Sequence, residues 1–144
     1  MSKIGRYFLL QLNCSRKFKM EVGDASTTFL QGDKKEQGRD AYLEPTADLR
    51  TRLNIDKNTI LKLAGSVHGL RNAPRAWCRR VRSDLETLGW RVHQLDQCIF
   101  LLHDSKGELI GACGVYVDDF IIAGRVDDPR WKKAKEELIS LYNW

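Results

Sequence analysis

The chain has 144 residues, 42% of them hydrophobic, enough for one buried core and too few for two of ordinary size. A net charge of +5 and a pI near 9.1 suit a polyanionic partner. The four cysteines show no CxxC pairing, and with three scattered histidines they form no zinc pattern. No apolar run approaches the roughly 20 residues of a membrane span. Met1-Ser2-Lys3 does not lead into a signal-peptide core, so a soluble intracellular protein with no membrane partner is expected.

Ile4 to Cys14 sets Ile4, Tyr7, Phe8 and Leu12 at helical spacing, which predicts a short amphipathic helix packed through those residues. Phe18, Met20 and Val22 then alternate with polar residues, as in a strand with one buried face. Asp24 lies just past that strand, where a sheet can present a functional carboxylate on a rigid backbone. An acid there also serves as a helix cap or loop residue. Asp33 to Asp40 reads as a solvated charged loop, and Arg50, Arg52 and Lys57 as a polar surface stretch.

Pro74 pre-sets the first turn of a helix that Arg75 to Leu88 continues, with Trp77, Val81, Leu85 and Leu88 on one stripe. Trp90 to Val92 and Cys98 to Leu102 read as strands joined by a turn near Asp96, and Asp104 to Gly107 as a further turn. Leu109 to Gly124 has two apolar runs meeting at Asp118-Asp119, the pattern of a hairpin with buried strands and an exposed tip. Adjacent carboxylates repel and are costly to bury, so the pair suggests a cation or solvent in front of it. A plain turn is the simpler alternative. Pro129 starts a last helix lined by Trp131, Ala134, Leu138 and Leu141.

Tyr116-Val117-Asp118-Asp119, with FIIAG behind it, resembles the active-site hairpin of reverse transcriptases of the copia class of LTR retrotransposons. Asp24 to Gly32 resembles that family's first catalytic segment, an Asp followed five residues later by an aromatic and then Leu-x-Gly. Glu21 to Ala25 also resembles the retroviral form of this segment, with Glu21 in the place of the acid, but Phe29-Leu30-Gln31-Gly32 then falls out of step. The block GLRNAPR, Gly69 to Arg75, resembles the family's turn before a helix, and Tyr42-Leu43-Glu44-Pro45 its Tyr-x-Glu-Pro strand. Asp96 to Phe100 is similar to Asp-Pro-Cys-Leu-Phe, with Gln97 for Pro. Other departures are His68 for Tyr, Asn72 for Gln, Ala64-Gly65 for a basic pair and Thr46-Ala47-Asp48 for a glycine-containing continuation.

The resemblance implies an α+β, polymerase palm-like fold, a small antiparallel sheet packed on helices. It implies a single domain over 1–144 with incomplete fingers and without thumb or RNase H segments. The activity it implies is RNA-directed DNA polymerisation through two-metal nucleotidyl transfer, with Mg²⁺ or Mn²⁺, on an RNA or DNA template-primer and a deoxynucleoside triphosphate. Asp24, Asp118 and Asp119 would be the catalytic metal ligands. The Ala25 carbonyl, Phe29 under the sugar, Asn72 at a base and Tyr116 beside the primer end would meet the nucleotide, and Arg71 and Arg75 the nucleic acid. Asp24 and Asp118 should come together in space, and Glu21 should point away. Two alternatives are a non-catalytic remnant that binds nucleic acid and a nucleotide cyclase, which leaves GLRNAPR without a role. With the fingers incomplete, weak salt-sensitive binding without processive synthesis is the expected behaviour of the chain alone.

Overall fold

The computed structural model describes residues 1–32 and 40–144, so the loop expected over 33–40 lies, but for Asp40, outside the described residues. Helix α1 (Lys3–Arg16) starts where the Ser2 hydroxyl accepts from the Gly5 N–H at 2.9 Å and ends at Lys17, which is left-handed with φ 53°. Strand β1 (Lys19–Asp24) and a 3₁₀ turn (Thr28–Gln31) follow. Beyond the undescribed stretch come β2 (Tyr42–Leu43), α2 (Ala47–Leu53) and β3 (Leu61–Lys62). Then follow α3 (Ala73–Thr87), β4 (Arg91–Val92), β5 (Ile99–His103), β6 (Leu109–Tyr116), β7 (Asp119–Gly124) and α4 (Pro129–Leu141).

Five strands form one antiparallel sheet in the order β1-β7-β6-β5-β4, and β2 pairs with β3 separately. Because side chains alternate along a strand, the sheet has two packing faces. On one, Phe100, Cys113, Val115, Phe120 and Ile122 meet the Trp77, Val81 and Leu85 stripe of α3 and the Trp131, Ala134 and Leu138 stripe of α4. Both stripes are the ones the periodicity predicts. On the other face, Leu9 of α1 packs on Ile99 and Ala112. The mixed architecture of a small antiparallel sheet on helices is therefore the expected one.

Two expected apolar faces are corrected. Helix α1 buries Gly5, Leu9 and Asn13, while Ile4 and Tyr7 are 81% and 61% exposed. The helix approaches the sheet through small residues: a Cβ on Gly114 would stand 2.5 Å from Leu9, and one on Gly5 would clash with Asp96. Phe18, just before β1, is buried, but Met20 and Val22 within it are exposed, since β1 is the edge strand and α1 covers β5 and β6 instead. Arg50, expected on a solvated surface, is structural. Its guanidinium donates to the carbonyls of Pro45 (3.0 Å), Asp56 (2.8 Å) and Thr59 (3.1 Å), which closes the turn after α2.

Candidate active site

The antiparallel register sets Asp24, the last residue of β1, directly across from Asp119, the first of β7. Just beyond, the Ala25 N–H donates to the Asp118 carbonyl at 2.8 Å. Acids from distant parts of the sequence thus share one end of the sheet, because strand pairing holds their backbones together. All three aspartates are exposed. Among the described residues none of them forms an ion pair, and no group of three or more His, Cys, Asp or Glu side chains is gathered tightly enough to hold a metal ion. Uncompensated carboxylates repel, so without a cation their side chains favour solvent over one another.

Val117 and Asp118 form the two-residue link between the cross-strand partners Tyr116 and Asp119. Val117 adopts φ 58°, a left-handed conformation that is costly for a β-branched residue, of order 1–3 kcal/mol. The surroundings hold it there. The buried Trp77 indole of α3 donates to the Val117 carbonyl at 2.5 Å. Trp77→Phe keeps most of the packing and loses the donor, so it should lower unfolding free energy by about 1 kcal/mol. Trp77→Ala, which also empties the core, should cost about 3–5 kcal/mol. Urea denaturation of the two variants checks the difference.

Glu21 does point away from the acids. It reaches Lys135 of α4 at 2.5 Å, and that hydrogen bond holds its carboxyl below the ordinary value against the opposing effect of desolvation, with Lys135 and Lys19 charges assisting. Asp24 lies three positions after Glu21 along the strand, an odd offset, so parity sets their side chains on opposite faces.

Ala25 is buried directly behind Asp24. Phe29, half-buried on the 3₁₀ turn, meets His68 edge-on at 4.9 Å and packs against the core. Phe29, Tyr116 and Val117 line one apolar cavity of about 180 Å³ with Pro74 and Trp77, so two of the expected nucleotide contacts stand beside the hairpin tip. Asn72 is the residue before α3, and its side chain does not cap the helix. Arg71 and Arg75 are exposed at the same helix end, and among the described residues neither forms an ion pair. The structure brings Asp24, Ala25, Asp118 and Asp119 together and leaves Arg71 and Asn72 on the turn before α3 and Arg75 in the helix's first turn.

Three supports of the site were not anticipated. Arg6 of α1 lies 5.9 Å over the Tyr116 ring. The Ser26 N–H donates to the Asn143 carbonyl (2.8 Å), and Gln31 bridges the Ser26 carbonyl (2.6 Å) and the Asn143 N–H (3.2 Å). Trp144 covers Gly23, leaving no room for a Cβ there. A glycine directly before an acid is the one sequence signal that pointed to such close cover.

The family described as reverse transcriptase (RNA-dependent DNA polymerase) matches residues 6–143. The chain belongs to that reverse transcriptase family. It is 32% identical over 124 residues to a retrovirus-related Pol polyprotein from transposon RE1 of Arabidopsis thaliana, 84% of this chain and 8% of that one. It is 29% identical over 117 residues to the Pol polyprotein from transposon TNT 1-94 of Nicotiana tabacum, 81% of this chain and 8% of that one. A putative transposon Ty5-1 protein of Saccharomyces cerevisiae shares 29% identity over 85 residues, 58% of this chain and 26% of that one. These relatives agree with the copia-type resemblance carried by the YVDD hairpin. This reverse transcriptase domain spans about 8% of the length of the plant Pol polyproteins. No solved structure matches. No described helix of the domain is long and apolar enough to cross a membrane.

Proposed function

We propose that this domain carries the polymerase palm of a copia-type RNA-directed DNA polymerase, acting on a template-primer and a deoxynucleoside triphosphate. The observation that carries the reading is the clamp between β1 and the β6–β7 hairpin, which sets three aspartates, without an ion-pair partner among the described residues, at one sheet end. Hard carboxylate oxygens that form no ion pair with a lysine or arginine among the described residues suit Mg²⁺ or Mn²⁺. Two such ions would activate the primer 3′ hydroxyl and stabilise the pyrophosphate leaving group. Asp24 and Asp118 would hold them, with Asp119 and the Ala25 carbonyl in support. In support, the pairing of β1 and β7 holds the backbones of Asp24 and Asp119 side by side, and Trp77 holds the turn that carries Asp118.

Phe29 would lie under the sugar, Tyr116 beside the primer end and Asn72 at a base, while Arg71 and Arg75 would contact phosphates. An aromatic ring beneath the sugar excludes a 2′ hydroxyl by contact. Phe29→Ala should therefore relax discrimination against ribonucleotides by roughly 10–100-fold. Unchanged discrimination would reduce Phe29 to a packing residue.

The deciding experiment is primer extension on a primed RNA with Mg²⁺ or Mn²⁺, alongside salt-dependent binding to the same nucleic acid. Metal-dependent incorporation supports the polymerase. Binding with no incorporation under any metal would favour a non-catalytic nucleic-acid-binding remnant.

A further inference from the structure

Cys78 on α3 and Cys98 in the turn entering β5 stand in the wall of one cavity, and each thiol shifts the ionisation of the other. Both line the apolar cavity that reaches Tyr116 and Val117 at the hairpin, and both are open to solvent, Cys78 more than Cys98. We propose that Cys78 and Cys98 form a reversible dithiol–disulfide site, oxidised by a hydroperoxide, that ties α3 to β5 in the wall of this cavity.

The other cysteines are placed so as not to compete. Cys113 is fully buried beneath the sheet, and burial pushes its thiol far up, which makes it inert. Cys14 is exposed on α1, which covers the opposite face of the sheet from α3. Within the pair, the neighbouring Cys78 thiol, helped by the N-terminal ammonium, lowers the Cys98 thiol against the opposing effect of its partial burial, which favours Cys98 as the attacking thiolate. Cys78 is pushed up by its Cys98 neighbour and by its own partial burial, which makes it the resolving thiol.

The reaction balances with the peroxide as the only co-reactant. The Cys98 thiolate attacks one peroxide oxygen: an S–O bond forms, the O–O bond breaks, and hydroxide leaves. Cys78 then attacks the Cys98 sulfenic sulfur. The S–S bond forms, the S–O bond breaks, and the departing hydroxide takes the Cys78 proton as water. Two thiols are oxidised by two electrons in total, and hydrogen peroxide is reduced to two waters.

The test treats the reduced full chain with one equivalent of hydrogen peroxide. The expected product is a monomer lighter by two hydrogens, whose digest links the Cys78 peptide to the Cys98 peptide and separates again in dithiothreitol. A rise in Tm of roughly 5–10 °C should accompany the link, since it shortens the unfolded chain's reach. Cys78→Ser and Cys98→Ser should each abolish the link, and Cys14→Ser should leave it intact. Reduced melting curves verify that each variant is folded. Oxygen adducts without a Cys78–Cys98 peptide, or dimers that disappear in Cys14→Ser, would overturn the proposal.

Discussion

Asp118→Asn is expected to cut nucleotide incorporation by roughly 10³-fold or more while leaving Tm unchanged or slightly raised. A metal ligand contributes several kcal/mol of charge stabilisation to the transition state, and each 1.36 kcal/mol is about tenfold in rate. Nothing comparable is at stake in the fold. The Asp118 side chain is exposed and holds no partner among the described residues, and the contact it does make, its carbonyl to the Ala25 N–H, belongs to the backbone. Removing one of several uncompensated neighbouring carboxylates relieves repulsion. Asp24→Asn should behave the same way. Glu21→Gln separates the two possible registers: it gives up the Lys135 contact at a small stability cost and leaves incorporation intact. Binding of paramagnetic Mn²⁺, followed by electron spin resonance, should weaken in Asp118→Asn and not in Glu21→Gln. Equal incorporation by Asp118→Asn and the parent would remove the catalytic role from the hairpin.

What could be read from the sequence was what repeats or stands in a motif. The stripes of α3 and α4 are made of large apolar residues at helical spacing, and the hairpin from Leu109 to Gly124 carries two apolar runs around a charged pair. Helix α1 was legible as a helix but not in its orientation. Its sheet-facing row is Gly5, Leu9 and Asn13, of which only Leu9 carries an apolar signal, and the close approach that selects it depends on Gly114 far away in the chain. Met20 and Val22 alternate as a half-buried strand should, yet pattern alone does not tell an edge strand from a covered one. Helix α2 was hidden in a charged stretch, although Thr46 capping the Leu49 N–H was there to be read.

The site itself divides along the same line. Its three aspartates were visible because motifs name them. Their supports were not, since Arg6 over Tyr116, Trp77 on Val117 and Asn143 beside Ser26 are long-range contacts with no local pattern. The aromatic group behind the hairpin makes the point. Trp77, Phe120 and Tyr142 come from α3, β7 and the segment after α4, and meet at ring separations of 5.1 to 6.5 Å. The Tyr142 hydroxyl is satisfied by Asp84 at 3.1 Å, and Asp84 in turn by Arg80 at 2.6 Å. Each residue alone reads as generic core; together they tie both supporting helices to the strand that starts at Asp119.

A loss of stability as large as that of Trp77→Ala should come from the other end of the same face. Trp131, 4% exposed, lies on a floor made by Gly111 and Gly124, which are cross-strand partners in β6 and β7, and meets Trp90 edge-on at 6.0 Å. The indole occupies the space where either glycine's Cβ would stand. Trp131→Ala leaves a cavity over the paired glycines that strand backbones cannot collapse into, and should cost about 3–5 kcal/mol. Gly124→Ala drives a methyl into the indole and should cost about 1–3 kcal/mol by overpacking. The two changes remove each other's cause. With the ring gone, the added methyl fills part of the void, so the double variant should be no less stable than Trp131→Ala alone, and the coupling energy should be about 1–3 kcal/mol. Denaturant titration of the four species measures it. Strictly additive losses would mean that the indole moves aside without cost, and that the glycine pair is not what seats α4 on the sheet.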